Sequence, residues 1–133
     1  ENNDRCIKEI VRLLKKYKPE RRQITVTSFD MDILKTLRAL MPLSDLNIAL
    51  HGDVHPQVLW DNGIDGMAYN MNVVSAHPEW IDFARSKNMT VTVWLPGTIE
   101  DMSTFIGLKV DAMTTNDVEL TKKMVERVYL CKD

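Results

Sequence analysis

Glycine is scarce, with five residues in 133, and the five are not clustered. That excludes a Walker loop and the glycine fingerprint of a dinucleotide site, and no nucleophile elbow occurs either. The two cysteines, Cys6 near the start and Cys131 near the end, are too few for a disulfide framework. Neither has the Cys or His spacing of a metal site, so both are read as unpaired. No apolar run approaches the roughly 20 residues that span a bilayer. The opening Glu1-Asn-Asn-Asp4 is not the basic and then apolar start of a signal peptide. A net charge of −2 and a pI near 5.9 give no electrostatic attraction to nucleic acid or to an acidic membrane surface.

What remains is the composition of an ordinary globular domain, 44% hydrophobic and 27% charged, long enough to bury a core. Residues 1–133 are read as a single domain, and eight methionines suggest adaptable packing. From Asp4, a candidate cap, to Tyr17 the apolar residues recur at helical spacing, and Lys18-Pro-Glu-Arg-Arg22 reads as a solvated turn. A strand from Ile24 to Ser28 leads into a helix opened by Asp30 and stopped by Pro42. A second strand, Leu46 to Leu50, precedes a short helix from Pro56 to about Trp60, with Asp61-Asn-Gly63 as its stop. Gly66 to Tyr69 is a weaker third strand, and after Ser75-Ala-His-Pro78 a helix runs from Glu79 to Lys87. Thr90 to Trp94 is the clearest strand, β-branched up to Val93, followed by a break at Pro96-Gly97 and a helix capped by Thr98 that ends at Gly107. Asp111 to Thr114 is the fifth strand, and Thr115-Asn-Asp117 opens the last helix.

Strand starts at Ile24, Leu46, Gly66, Thr90 and Asp111 lie 22, 20, 24 and 21 residues apart. Such alternation implies parallel strands joined by right-handed crossovers. Two α/β architectures fit: a partial TIM (β/α)8 barrel holding about the last five βα units, or an open five-stranded flavodoxin-like sheet. The first helix has no strand before it, which favours the barrel.

Chemistry is thinly signalled. His51, His55 and His77 are the only histidines. His51, Asp53 and His55 share one strand-end loop and are conceivable as a metal site, but the spacing fits no ligand motif. The alternative reading is histidines at helix starts or on the surface. Asp30, Asp117, Ser75 and Thr98 read as helix caps. Trp94 sits where a strand ends and a loop begins, the position at which parallel α/β folds handle ligands; it is either a site wall or a core residue or lid.

Ile24-Thr-Val-Thr-Ser-Phe-Asp30, Val91-Thr-Val-Trp94, Glu100-Asp-Met102 and Val110-Asp-Ala-Met-Thr-Thr-Asn116 together resemble the later portion of the glycerophosphodiester phosphodiesterase family. His77-Pro-Glu-Trp-Ile81 and Gly52-Asp53 are similar to a bacterial subgroup, and the likeness runs from about Asp4 to Val128. The resemblance implies a TIM barrel of which the last five strands are present. It also implies a complete enzyme that binds Ca²⁺ or Mg²⁺ on carboxylates and cleaves glycerophosphodiesters to glycerol 3-phosphate and an alcohol, with paired histidines as acid and base. The family's catalytic motifs lie on the earlier strands and are not found here, so the chain alone is expected to bind no cation and to be inactive. Trp94 matches the family's strand-end Trp, which implies a substrate-pocket wall, and Phe29 is expected to supply apolar wall beside it. The family's Thr-Val-Asn after that Trp is Leu95-Pro96-Gly97 here, which removes polar groups from the loop, and a usual glycine is Ala112. An opened barrel is expected to bare an edge and an apolar interior, and so to associate with the missing half or with a second copy. The rivals are an inactive half-barrel that binds itself or a partner, and a receiver-like domain. A receiver needs a Lys at the end of the last strand, where Thr114-Thr115 stands.

Overall fold

The computed structural model describes residues 2–130. Helix α1 (Asn2–Tyr17) leads through a 3₁₀ turn (Arg21–Gln23) into β1 (Thr25–Ser28), α2 (Met31–Leu40), β2 (Asn47–Leu50) and α3 (Pro56–Asp61). The chain continues with β3 (Gly66–Asn70), α4 (Met71–Ala76), α5 (Glu79–Ser86), β4 (Thr90–Trp94), α6 (Ile99–Gly107), β5 (Ala112–Thr114) and α7 (Val118–Leu130). All four strand pairings are parallel, and the order is sequential, β1-β2-β3-β4-β5. A doubly wound sheet reverses its strand order part-way, so the flavodoxin-like and receiver-like alternatives are ruled out. The fold is five consecutive units of a (β/α)8 barrel.

Alternation along each strand separates two faces. Ile48, Leu50, Met67, Tyr69, Val91 and Val93 point outward and are buried in one core with Leu34 and Leu37 of α2, Leu59 of α3, Ile81 of α5 and Phe105 of α6. The opposite face carries Thr25, Thr27, Asn47, Ala49, Gly66, Ala68, Thr90, Thr92, Ala112 and Thr114. The expectation of an apolar interior is therefore corrected: the concave face is made of small and polar residues. Asn47 Nδ2 donates to Thr25 Oγ1 at 3.2 Å and to Thr90 Oγ1 at 3.1 Å. The second bond passes over β3 at Gly66, where a Cβ would lie 2.5 Å from Thr90 Oγ1. Only the bare Cα leaves room for it.

Three helices hand over to the next strand in the same way. Gly63, Asn88 and Lys109 have φ of 73°, 54° and 56°. The N–H of the residue after each donates back to a helix carbonyl: Ile64 to Leu59 at 2.9 Å, Met89 to Ala84 at 2.9 Å, and Val110 to Phe105 at 3.3 Å. This is the Schellman closure, with the following apolar residue tucked against the helix. α6 ends at Gly107 as expected, and the left-handed position that closes its corner is two residues further on, at Lys109.

Two more sequence expectations shift. Asp4 is not a cap but lies in the first turn of α1, which begins at Asn2. Ser75 lies inside α4, a helix not anticipated from sequence; Asn70 caps it by accepting from Asn72 N at 2.9 Å. Asp30 and Thr98 cap as expected, Thr98 in a reciprocal capping box with Asp101. Cys6 is exposed on α1, and Cys131 lies outside the described residues.

At the foot of the sheet Asp65, 1% exposed, joins elements distant in sequence. Its Oδ1 accepts from Ile48 N and from Arg38 Nη2, both at 2.9 Å, and its Oδ2 accepts from Arg21 Nη2. Arg38 also donates to Gly63 O at 2.7 Å and Met41 O at 3.2 Å. Asp111 repeats the motif at the foot of the edge strand β5, its Oδ2 accepting from Val91 N of β4 at 2.7 Å.

Asp65→Ala should lower the unfolding free energy by about 3–5 kcal/mol, because two guanidinium groups and a strand N–H lose their acceptor; urea denaturation measures it. Lys109→Gly should raise it by about 1 kcal/mol, since a side chain in the left-handed region carries that steric cost, and the same titration reads the gain.

Candidate functional site

Ligands in barrels of this kind meet the carboxyl ends of the strands. There the inward alternation continues one residue past β1 and β2: Thr25, Thr27, Phe29 on one and Asn47, Ala49, His51 on the other, with Thr90, Thr92, Trp94 along β4. Three rings thus converge from strands separated in sequence by more than twenty residues each.

Phe29 stands open because the chain turns sharply into α2. Ser28 Oγ accepts from Asp30 N at 3.0 Å, and the Asp30 carboxylate takes Asp32 N at 2.9 Å and Ile33 N at 3.3 Å. The Phe29 side chain is left 76% exposed, lying over the imidazole of His51 with ring centroids 4.7 Å apart and planes 23° apart. Trp94 meets the same imidazole edge-on, at 6.0 Å and 69°. The histidine lies between the two expected wall residues, so Phe29 and Trp94 are brought to one site with His51 as the middle ring. Trp94 is half-buried at the end of β4 and lies outside the buried core. The Trp94–Leu95 peptide is cis.

A single carbonyl fixes two of the rings. Ala68 O accepts from Trp94 Nε1 at 2.8 Å and lies 3.0 Å from His51 Nδ1. A carbonyl oxygen only accepts, so the His51 proton sits on Nδ1. Among the described residues nothing bonds Nε2, which is left as an acceptor in the neutral ring. The His51 backbone N–H donates to Ser28 O at 2.8 Å, holding β2 to β1 at the level of the site.

The other two histidines are structural. His55 caps α3, its Nδ1 accepting from Gln57 N at 3.0 Å, and its ring meets Trp80 and Phe83 edge-on. His77 ends α4 and stacks on Trp80 at 4.2 Å and 7°. Behind them Tyr69 donates to Val54 O at 2.7 Å; burial foremost, with the charge of Asp53, pushes its phenol well above the ordinary range. The conceivable His51, Asp53 and His55 metal site is taken apart by the fold: His51 turns inward, Asp53 is exposed, and His55 turns toward α5. Among the described residues no three His, Cys, Asp or Glu side chains lie close enough to hold a metal ion, so these residues do not fit a divalent cation by themselves. His51 was read from sequence only within that cluster or as a surface group; its place in the inward series after Asn47 and Ala49 was the available signal.

The family model described as Glycerophosphoryl diester phosphodiesterase family matches residues 1–120. The chain belongs to this family. Among solved structures, the chain is similar to a glycerophosphodiester phosphodiesterase from Parabacteroides distasonis ATCC 8503, with 26% identity and a TM-score of 0.86 over 96% of this chain and 53% of that one. Structures from Silicibacter pomeroyi DSS-3 (17% identity, TM-score 0.76, covering 92% of this chain and 44% of that one) and Galdieria sulphuraria (21%, 0.71, 89% and 50%) share the fold. The chain therefore spans about half the length of the solved phosphodiesterase structures it resembles. No curated protein matches it by sequence.

Because Phe29 is largely solvent-exposed, Phe29→Ala should change the unfolding free energy by no more than about 0.5 kcal/mol. The His51 ring protons should move downfield on losing the stacked ring. NMR of the variant beside the parent checks both.

Proposed function

We propose that this chain provides the last five βα units of a metal-dependent phosphodiesterase that hydrolyses glycerophosphodiesters to glycerol 3-phosphate and an alcohol. The observation that carries the reading is the ring-lined mouth at the carboxyl ends of the strands, in a half-barrel that superposes on a phosphodiesterase over 96% of its length. In hydrolysis a water oxygen bonds to phosphorus, the bond from phosphorus to the alcohol oxygen breaks, and the departing alcohol takes up a proton. Phe29 and Trp94 wall the substrate and exclude water from one side of it. Carboxylates that hold Ca²⁺ or Mg²⁺, and the acid and base that move the protons, come from the first three units of the complete barrel; the bound cation would stabilise the charge on the phosphoryl oxygens. Without those units the chain is inactive.

A second reading is an inactive half-barrel that binds a copy of itself or a partner. β1 and β5 are both edge strands, and apolar side chains on the terminal helices, Leu13 and Tyr17 of α1 and Val118 and Val128 of α7, stay exposed. Edges and apolar flanks of this kind are normally covered. The small polar concave face offers less drive for such association than an apolar one.

The two readings separate in one assay. The full-length protein with glycerophosphocholine should release glycerol 3-phosphate, stop on addition of EDTA and resume with excess Ca²⁺ or Mg²⁺. A native mass equal to this chain's 15.3 kDa or a multiple of it, with no release, would instead establish the half-barrel as the functional unit.

A further inference from the structure

We propose that His51 is a specificity-determining residue that contacts the glyceryl moiety of the substrate, with Nε2 accepting a hydrogen bond from one of its free hydroxyls; this rests on the phosphodiesterase reading above. Three observations lead there. The imidazole is held by groups that leave one function unused: Nδ1 is committed to Ala68 O at 3.0 Å, Phe29 covers one face and Trp94 meets the ring at 6.0 Å. His51 is half-buried, neither packed into the core nor free in solvent. The loop after Trp94 supplies no polar side chain, since Leu95 is exposed, Pro96 buried and Gly97 bare. At this end of the sheet the polar function among the three rings thus belongs to β2 and not to the loop after β4.

The chemistry follows from the tautomer. With its proton on Nδ1, a neutral imidazole presents a lone pair at Nε2, a good acceptor for O–H and a poor partner for a phosphoryl oxygen. The groups that meet such an acceptor are the hydroxyls of a glyceryl or similar polyol moiety, and the flanking rings suit the carbon face of the same moiety. A site arranged to accept a hydroxyl rejects an analogue without one, because its own polar group is then left unmatched.

Two amide replacements divide the ring's functions. In His51→Asn the amide nitrogen stands where Nδ1 stood and can still donate to Ala68 O, but nothing reaches the place of Nε2. In His51→Gln the amide reaches that place. The full-length protein should hydrolyse glycerophosphocholine with a kcat/KM at least about tenfold above that for propylphosphocholine, which lacks both glyceryl hydroxyls. H51N should lose most of that ratio through the glycerophosphocholine rate alone, and H51Q should recover part of it. An unchanged ratio in H51N, or an equal loss on both substrates, overturns the assignment while leaving the phosphodiesterase reading in place. A parent protein that cleaves neither substrate overturns that reading and this one with it. Independently of the variants' folding, long-range proton–nitrogen spectra of the parent protein should show the proton on Nδ1, and glycerol 3-phosphate should move the Nε2 resonance by several ppm. An Nε2 resonance that does not move would refute the contact.

Discussion

The register of the sheet depends on one buried carboxylate. Asp65 takes an N–H from β2 on one oxygen and guanidinium groups from α2 and from the 3₁₀ turn before β1, so the first three strands are tied together at their foot. Its own carbonyl accepts from Thr90 N at 2.9 Å, which adds β4. Burying a charge this deeply is tolerable because both its oxygens are satisfied by charged or backbone donors. For Arg38, loss of solvent outweighs its pairing with Asp65 and holds its pKa below the usual guanidinium range. The foot of the half-barrel is therefore fixed by polar geometry, while the outer face is held by apolar burial.

That division leaves the concave face free to be something else. Helices cover only the outward side, so the inward residues need not be large. A row of threonines and alanines with Asn47, Asn70 and Gly66 results. Bulk appears only at the top, where Phe29, His51 and Trp94 end the three inward series. Because all three hang from strands in a fixed register, with Ala68 O as the common anchor for two of them, the site inherits its order from the sheet and not from the loops above it.

Much of this was legible in the residues themselves. Alternating strand and helix periods marked all five strands, and β-branched Thr90 to Val93 left little ambiguity for β4. The sequential strand order was not legible, because a doubly wound sheet and a barrel segment share one local pattern; only pairing distinguishes them. Helix α4 was missed because its six residues are too few to show a helical period, and Asn70, which caps it, is also the last residue of β3. Phe29 and Trp94 were reached through family resemblance, and the structure brings them to one mouth. His51 was obscured by its neighbours: beside Asp53 and His55 it looked like part of a loop cluster, although alternation from Asn47 sends it the other way. At the end of α6 the helix stops at Gly107 as its sequence suggested, but the left-handed conformation that glycine usually marks falls on Lys109.

The three identical corners from helix to strand make the two rims of the half-barrel unequal in what they can absorb. At Gly63, Asn88 and Lys109 the count between the last helical turn and the first strand residue is locked by a hydrogen bond that closes over it. A residue added or removed there would exchange the two faces of the strand that follows, turning its core side chains onto the concave face. The opposite rim has no such counting device: one strand there passes straight into a helix through Asn70, another into an open Leu95-Pro96-Gly97 segment. Length variation, and with it new chemistry, is mechanically cheap at the mouth and expensive at the foot. A lineage built on this frame would change what it recognises by lengthening one rim and leaving the other untouched.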